Sequence, residues 1–247
     1  AGQPTPTSAV PSPLFLCKFI VSDKRMQCMV LIFLANGAKN GFFVGAFMDR
    51  VVSRLLGTTA LGMCGGLYGL CSVLAMRFWA RVCGRPSWGR RWAYVFAVPL
   101  QAGFFIAFLV WSFYNPRLSD AAHPSTDEKA PPIREDATMF DWAFVLGGVC
   151  LLGIVNPVCD AMSRATAQVI FRNDKRELAC AVSGLQMAFS LGNALQSALS
   201  LSLRGKMHIQ YTVLCTAFTM AGLTLLHLHR HITRIDPTAE LPDASTA

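Results

Sequence analysis

The sequence predicts an all-α, polytopic membrane protein with six transmembrane helices, and three observations carry that expectation. Hydrophobic residues make up 53% of the chain and charged residues only 15%, against about 25% charged in ordinary soluble domains; the mean hydropathy is +0.42. Apolar runs long enough to cross the roughly 30 Å hydrocarbon layer recur six times. Between them the basic residues fall in short clusters, which is how topology signals are placed.

The formal net charge of +8 might suggest a nucleic-acid partner, but clusters separated by apolar runs do not make the continuous basic face that binding needs, so no nucleic acid is expected. The nine cysteines show no C-x-x-C pair and mostly sit inside apolar runs, where a thiol behaves as a small hydrophobe. Neither a disulfide framework, a zinc site nor any other cofactor is expected.

Residues 1–25 read as a disordered or linker segment, rich in Pro, Ser and Thr at its start, with Lys18, Lys24 and Arg25 at the inner surface. The six-helix domain is expected over 26–229. Its first span, about 26–47, carries Gly37, Gly41 and Gly45 in a G-x-x-x-G-x-x-x-G stripe that lets another helix approach closely. Asn36, Lys39 and Asn40 lie in the same span. Lys39 is two residues from both Gly37 and Gly41, so at 100° per residue it points away from the stripe, toward another neighbour or a polar cavity. An outer turn with Asp49, Arg50 and Arg54 leads to a second span, about 58–76, where Gly62/Gly66 and Gly65/Gly69 at i,i+4 suggest tight packing of these two helices on each other.

Arg77, Arg81, Arg85, Arg90 and Arg91 then crowd one short connector. A central arginine costs roughly 2.5–3.5 kcal/mol to insert, so this connector is pinned to the cytoplasmic surface and orients its neighbours. The third span, about 92–113, has Trp92 and Tyr94 at one interface and Trp111 and Tyr114 at the other, with Pro99 and Gln101 inside. A polar loop, 115–140, is outside by topology. The fourth span, about 141–171, is too long for one crossing, and Pro157 after Asn156 is expected to kink or break it. The fifth, about 178–203, shows Gly184, Ala188 and Gly192 on one face; the sixth, about 209–228, precedes a cytoplasmic tail, 230–247. Lysines and arginines outnumber those outside on the inner segments, so both termini are expected to be cytoplasmic. Which membrane is involved does not follow.

An ionisable residue inside a span is a functional-site hypothesis by default, which singles out Lys39; a lysine snorkelling to the outer interface is the plainer alternative. Asp160 and Arg164 at i,i+4 fit an intrahelical ion pair or a transport site. Asn156-Pro157 can unwind a helix and free a carbonyl, or simply kink it. Gln101, Asn193 and Gln196 suit interhelical hydrogen bonds. His227 and His231 share a face, although cations near a helix C-terminus have a simpler dipole explanation, and no metal is assigned. No G-x-S-x-G, H-E-x-x-H or P-loop occurs, and no enzyme activity is expected.

Six spans with a basic loop after the second form the plan of one half of a major facilitator protein. The run from Ala75 to Arg91, with Arg77, Arg81, Gly84, Arg85, Arg90 and Arg91, resembles that superfamily's inter-helix loop motif without its characteristic aspartate. Gly37-Ala-Lys-Asn-Gly41-Phe42-Phe-Val-Gly45-Ala-Phe47 is similar to the start of the second half in the Unc-93-like family. Gly153, Asn156-Pro157, Phe171, Lys175, Glu177, Ala179 and Ser190-Leu191-Gly192 resemble its later spans. The resemblance covers about Met26 to Leu203 and implies the carboxyl-terminal six-span half of a twelve-span protein, with a missing amino-terminal half as partner. It also implies a non-catalytic regulator or trafficking escort of a channel or receptor transmembrane subunit. A major facilitator type solute transporter is the alternative, with Lys39, Gln101, Asn156 and Asn193 lining a cavity between two halves.

Overall fold

The computed structural model describes residues 13–83, 89–114, 137–171, 174–203 and 206–235, and every element among them is helical. In chain order these are α1 (Pro13–Ser22), α2 (Lys24–Phe42), a π-helical stretch (Phe43–Val52) running into α3 (Ser53–Leu56), α4 (Thr59–Cys83), α5 (Gly89–Tyr114) and α6 (Met139–Pro157). A second π-helical stretch (Val158–Met162) continues α6 into α7 (Ser163–Ile170), followed by α8 (Lys175–Ser202) and α9 (Met207–Ile235). Among the described residues, five stretches are long and apolar enough to cross a membrane: Lys24–Leu56, Thr59–Val82, Val95–Tyr114, Met139–Gln168 and Lys175–Ser202. The sixth expected span lies within α9, which is not one of the five. Large apolar side chains such as Leu70, Val73, Phe78, Phe96, Phe113 and Leu195 stand exposed around the bundle, as a lipid-facing surface requires.

Several boundaries differ from expectation for readable reasons. Helix α1 occupies part of the 1–25 segment expected to be a linker, because Phe15 and Phe19 find an apolar cluster with Met26, Phe33 and Phe171 to pack on. The turn expected around Asp49, Arg50 and Arg54 is helical; the chain turns only at Gly57, whose φ of 89° belongs to the left-handed region. Helix α4 runs through Arg77 and Arg81 to Cys83, so the basic connector starts as helix with both arginines exposed. Gly84 and Arg85 lie outside the described residues; Arg90 and Arg91 open α5, their side chains not described. Helix α6 starts inside the expected 115–140 loop because Thr138 and Asp141 form a capping box. Pro157 does not break the helix: the missing N–H is absorbed by the π-helical turn Val158–Met162.

Packing is led by α2 against α8, then α4 against α6, and α9 against α5 and α2. In lipid the water-driven attraction between helices is gone, so fit and dispersion decide which faces meet. The α2–α8 seam is made by glycines. A Cβ on Gly37 would overlap the Phe189 carbonyl, one on Gly41 would lie 2.8 Å from the Asn193 carbonyl oxygen, and one on Gly192 would overlap the Leu34 carbonyl. Elsewhere aromatic rings fill the space: Phe42, Phe47, Phe104, Phe105, Phe108 and Tyr211 form one network, with Phe104 and Phe108 centroids 4.5 Å apart and Phe42 edge-on to Tyr211 at 5.2 Å.

Candidate functional site

With Gly37 and Gly41 turned onto α8, helical geometry rotates Lys39 toward α6. There its Nζ donates to Asn156 Oδ1 at 2.6 Å. Lys39 is 1% exposed, whereas Asn156 is half-buried. Cys159 follows Asn156 by three residues, on the same side of the chain, and its thiol donates to Gln101 Oε1 at 3.2 Å. Helices α2, α5 and α6, with the π-helical turn that continues α6, therefore deliver Lys39, Gln101, Asn156 and Cys159 to one polar centre.

No carboxylate among the described residues forms an ion pair with Lys39. Asp160 is engaged otherwise: Arg164 Nε donates to its Oδ1 at 2.9 Å, and Arg164 also donates to Gln186 Oε1 at 3.1 Å on α8 while lying over the Phe33 ring. Both members of this pair are about 40% exposed (38% and 39%), so it borders the buried centre and opens to the surface. Two buried atoms of the centre lack a hydrogen bond, Asn36 Oδ1 and Gln101 Nε2.

The π-helical turn belongs to the same construction. Asn156 stands just before Pro157, and Cys159 and Asp160 are carried by Val158–Met162, where the widened turn re-aims side chains. Trp79 Nε1 on α4 donates to the Ile154 carbonyl at 2.8 Å. It satisfies an acceptor in the stretch whose hydrogen-bond ladder Pro157 interrupts. The α4–α6 contact is close here, since a Cβ on Gly153 would lie 2.7 Å from the Tyr68 carbonyl oxygen.

A second polar group joins α8 to α9. Gln196 Nε2 donates to Gln210 Oε1 at 3.3 Å and Ser200 Oγ donates to the same oxygen at 2.9 Å. Arg50 donates to the Ser200 and Leu203 carbonyls at 3.2 and 3.4 Å. Ser200 lies in the last turn of α8 and Leu203 just past its end, where the Leu203 carbonyl also accepts from the Lys206 amide at 3.0 Å, so Arg50 caps that helix.

The remaining sequence candidates are dispersed. Asn40 is half-buried; Asn193 is half-buried against Gly41, apart from the Lys39 centre. Gly184 packs on Met26 and Ile20. Gly45, Gly62 and Gly66, with Gly65 and Gly69, have nothing within 4 Å of an added Cβ, so the glycine face of α4 is not the one that meets α2. His227 is exposed, and the His231 side chain lies outside the described residues. Sequence reasoning did not pick out Cys159, Trp79, Gln210 or Arg50 as site or anchor residues. Gln210 had a signal, as an amide within an apolar run, while Cys159 looked like any small hydrophobe. No family model, no curated protein and no solved structure matches the chain.

Proposed function

We propose that this chain is the carboxyl-terminal-type, six-span half of an Unc-93-like protein of the major facilitator kind. In this reading it is a non-catalytic regulator or escort that binds the transmembrane helices of a channel or receptor. The observation that carries the reading is the unpartnered face of α4. Gly62, Gly65, Gly66 and Gly69 follow the i, i+3, i+4, i+7 spacing of one helical stripe, none has an atom within 4 Å of its Cβ position, and Val73 and Met76 extend the stripe in exposed positions. Small residues let backbones approach when helices associate in lipid, and lipid chains themselves have no need of such a surface. The missing half or the regulated subunit supplies the helix that fits there, and both termini of this chain are cytoplasmic.

The test is a Gly66→Leu variant. Its new side chain enters open space in the free bundle, so folding is kept, while co-purification of a stoichiometric transmembrane partner is lost. Retention of that partner by the folded variant overturns the reading.

A second reading, solute transport, is favoured by the Lys39–Asn156 contact, because a buried intramembrane charge costs stability that a purely structural bundle has no reason to bear. Purified protein in sealed liposomes would then take up a solute, and Lys39→Ala would abolish uptake. Absence of uptake across a broad solute panel, with partner capture intact, removes this second reading.

A further inference from the structure

Hydrogen-bond capacity at the Lys39 centre is unbalanced in one direction. A lysine ammonium carries three donors and no acceptor, and Lys39 spends one of them on Asn156 Oδ1. Gln101 is 0% exposed; its Oε1 accepts from Cys159, which turns Nε2 the other way, and Nε2 meets no acceptor. Buried donors left unmade cost about 1–3 kcal/mol each and more for charged groups, so two such groups, one held by Asn156 and the other by Cys159 three residues on, call for an acceptor. The bundle does not provide it: Asp160 faces Arg164, and no other carboxylate among the described residues reaches Lys39.

We propose that Lys39 and Gln101 form a binding site for a small monocarboxylate. One carboxylate oxygen accepts from the Lys39 ammonium and the other from the Gln101 carboxamide. Four features fit that ligand. Lys39 is a single cationic group with no ion-pair partner among the described residues, which suits a monoanion. The donors come from two different helices, α2 and α5, which suits two oxygens better than one spherical ion. Asn36 Oδ1, buried one turn before Lys39, is an unpartnered acceptor available to a hydroxyl or the like on the same molecule. Asn156 is half-buried beside a fully buried Lys39, and the neighbouring Asp160–Arg164 pair is over a third exposed, so the centre lies next to accessible surface. The site is independent of the partner-binding reading and of whether any solute crosses the membrane, since it concerns equilibrium binding alone.

The purified chain in detergent is titrated with sodium acetate and sodium lactate while thermal unfolding is followed, with sodium chloride and choline chloride at matched ionic strength. Ligand that binds the native state alone raises the midpoint progressively with concentration. A carboxylate-dependent upshift is expected, absent with the chloride salts and absent in Lys39→Met and Gln101→Glu. The first variant removes the charge with similar volume; the second places an internal carboxylate against Lys39 and occupies the position. Either variant, if folded, suffices. An equal shift with chloride overturns the carboxylate assignment, and no shift with either carboxylate, or a shift that survives Gln101→Glu, overturns the site.

Discussion

Two glycine stripes of the same spacing meet opposite fates. On α2, Gly37 and Gly41 press against α8 so closely that a methyl group at either would strike backbone, and Gly192 answers from the other helix. On α4, Gly62, Gly65, Gly66 and Gly69 look onto empty space. A small-residue stripe records that some backbone approaches there; it does not say which one. The α2 stripe finds its partner within the chain and fixes the rotation of α2, and that rotation aims Lys39 at α6. The α4 stripe finds none among the described residues, while another face of α4, through Trp79 and Tyr68, clasps α6.

The comparison breaks most decisively at the seam. Gly37→Val and Gly192→Val each force α2 and α8 apart against backbone atoms that cannot rotate out of the way, so each should destabilise the bundle by at least ~1–3 kcal/mol, the usual cost of overpacking. Detergent-solubilised protein should show a clearly lowered unfolding midpoint. Because both substitutions act on one crossing, the double variant should cost less than the two singles added. An unchanged midpoint in either single variant would mean that α2 and α8 are not held at glycine distance.

The seam also depends on how its helices begin. Asp23 and Asp174 cap α2 and α8 from matching Asp-Lys-Arg sequences. Asp23 accepts from the Arg25 and Met26 amides at 2.8 and 3.3 Å, and Asp174 from the Arg176 and Glu177 amides at 2.7 and 3.3 Å. Partial burial by itself raises the Asp23 pKa, but the Arg25 side chain, its backbone amide and its charge together outweigh this, and the carboxyl titrates below its ordinary value. A depressed carboxylate stabilises the fold above its unfolded value of about 3.9, and the contribution is lost as pH falls through the folded value. Asp23→Ala should therefore cost about 0.5–2 kcal/mol at neutral pH, with the gap to wild type narrowing below about pH 4 to what an uncharged acceptor contributes; a gap that does not narrow under acid would assign the effect to something other than the charged cap. Asp23→Asn, which keeps a cap acceptor and loses the charge, should fall between the two.

Sequence patterning went a long way in this chain because lipid imposes a blunt rule. Apolar runs marked out the five stretches that are long and apolar enough to cross a membrane, and the two-residue offset between Lys39 and its flanking glycines already pointed the lysine away from that stripe. What the pattern could not give was pairing. The identity of spacing on α2 and α4 suggested that those two helices pack on each other, whereas shape complementarity placed α8 on the first and left the second open. Pro157 was legible only in part for a related reason: a lost N–H is visible in sequence, but its accommodation by a π-helical turn and the Trp79 hydrogen bond needs residues about 75 positions apart. Gln101 was legible only as a polar residue in a span; its unpartnered nitrogen depends on the thiol of Cys159 holding its oxygen.

The smallest expected effect sharpens the comparison most, because it reverses sign. Gly66→Ala adds a methyl group where nothing lies within 4 Å, so no packing is lost, and the helix gains the propensity difference between glycine and alanine, about 0.5–1 kcal/mol in water. In detergent or lipid the unfolded reference retains much of its helix, which trims the gain to roughly half a kcal/mol or less. The same substitution at Gly37 drives a methyl group into the Phe189 carbonyl and must destabilise. Measured side by side on the isolated protein, Gly66→Ala should leave the midpoint level or slightly raised and Gly37→Ala should lower it. If Gly66→Ala instead lowers the midpoint as much as Gly37→Ala, then the α4 stripe is already occupied in the purified protein. A second copy of this chain is the first occupant to test, by whether the loss disappears on dilution.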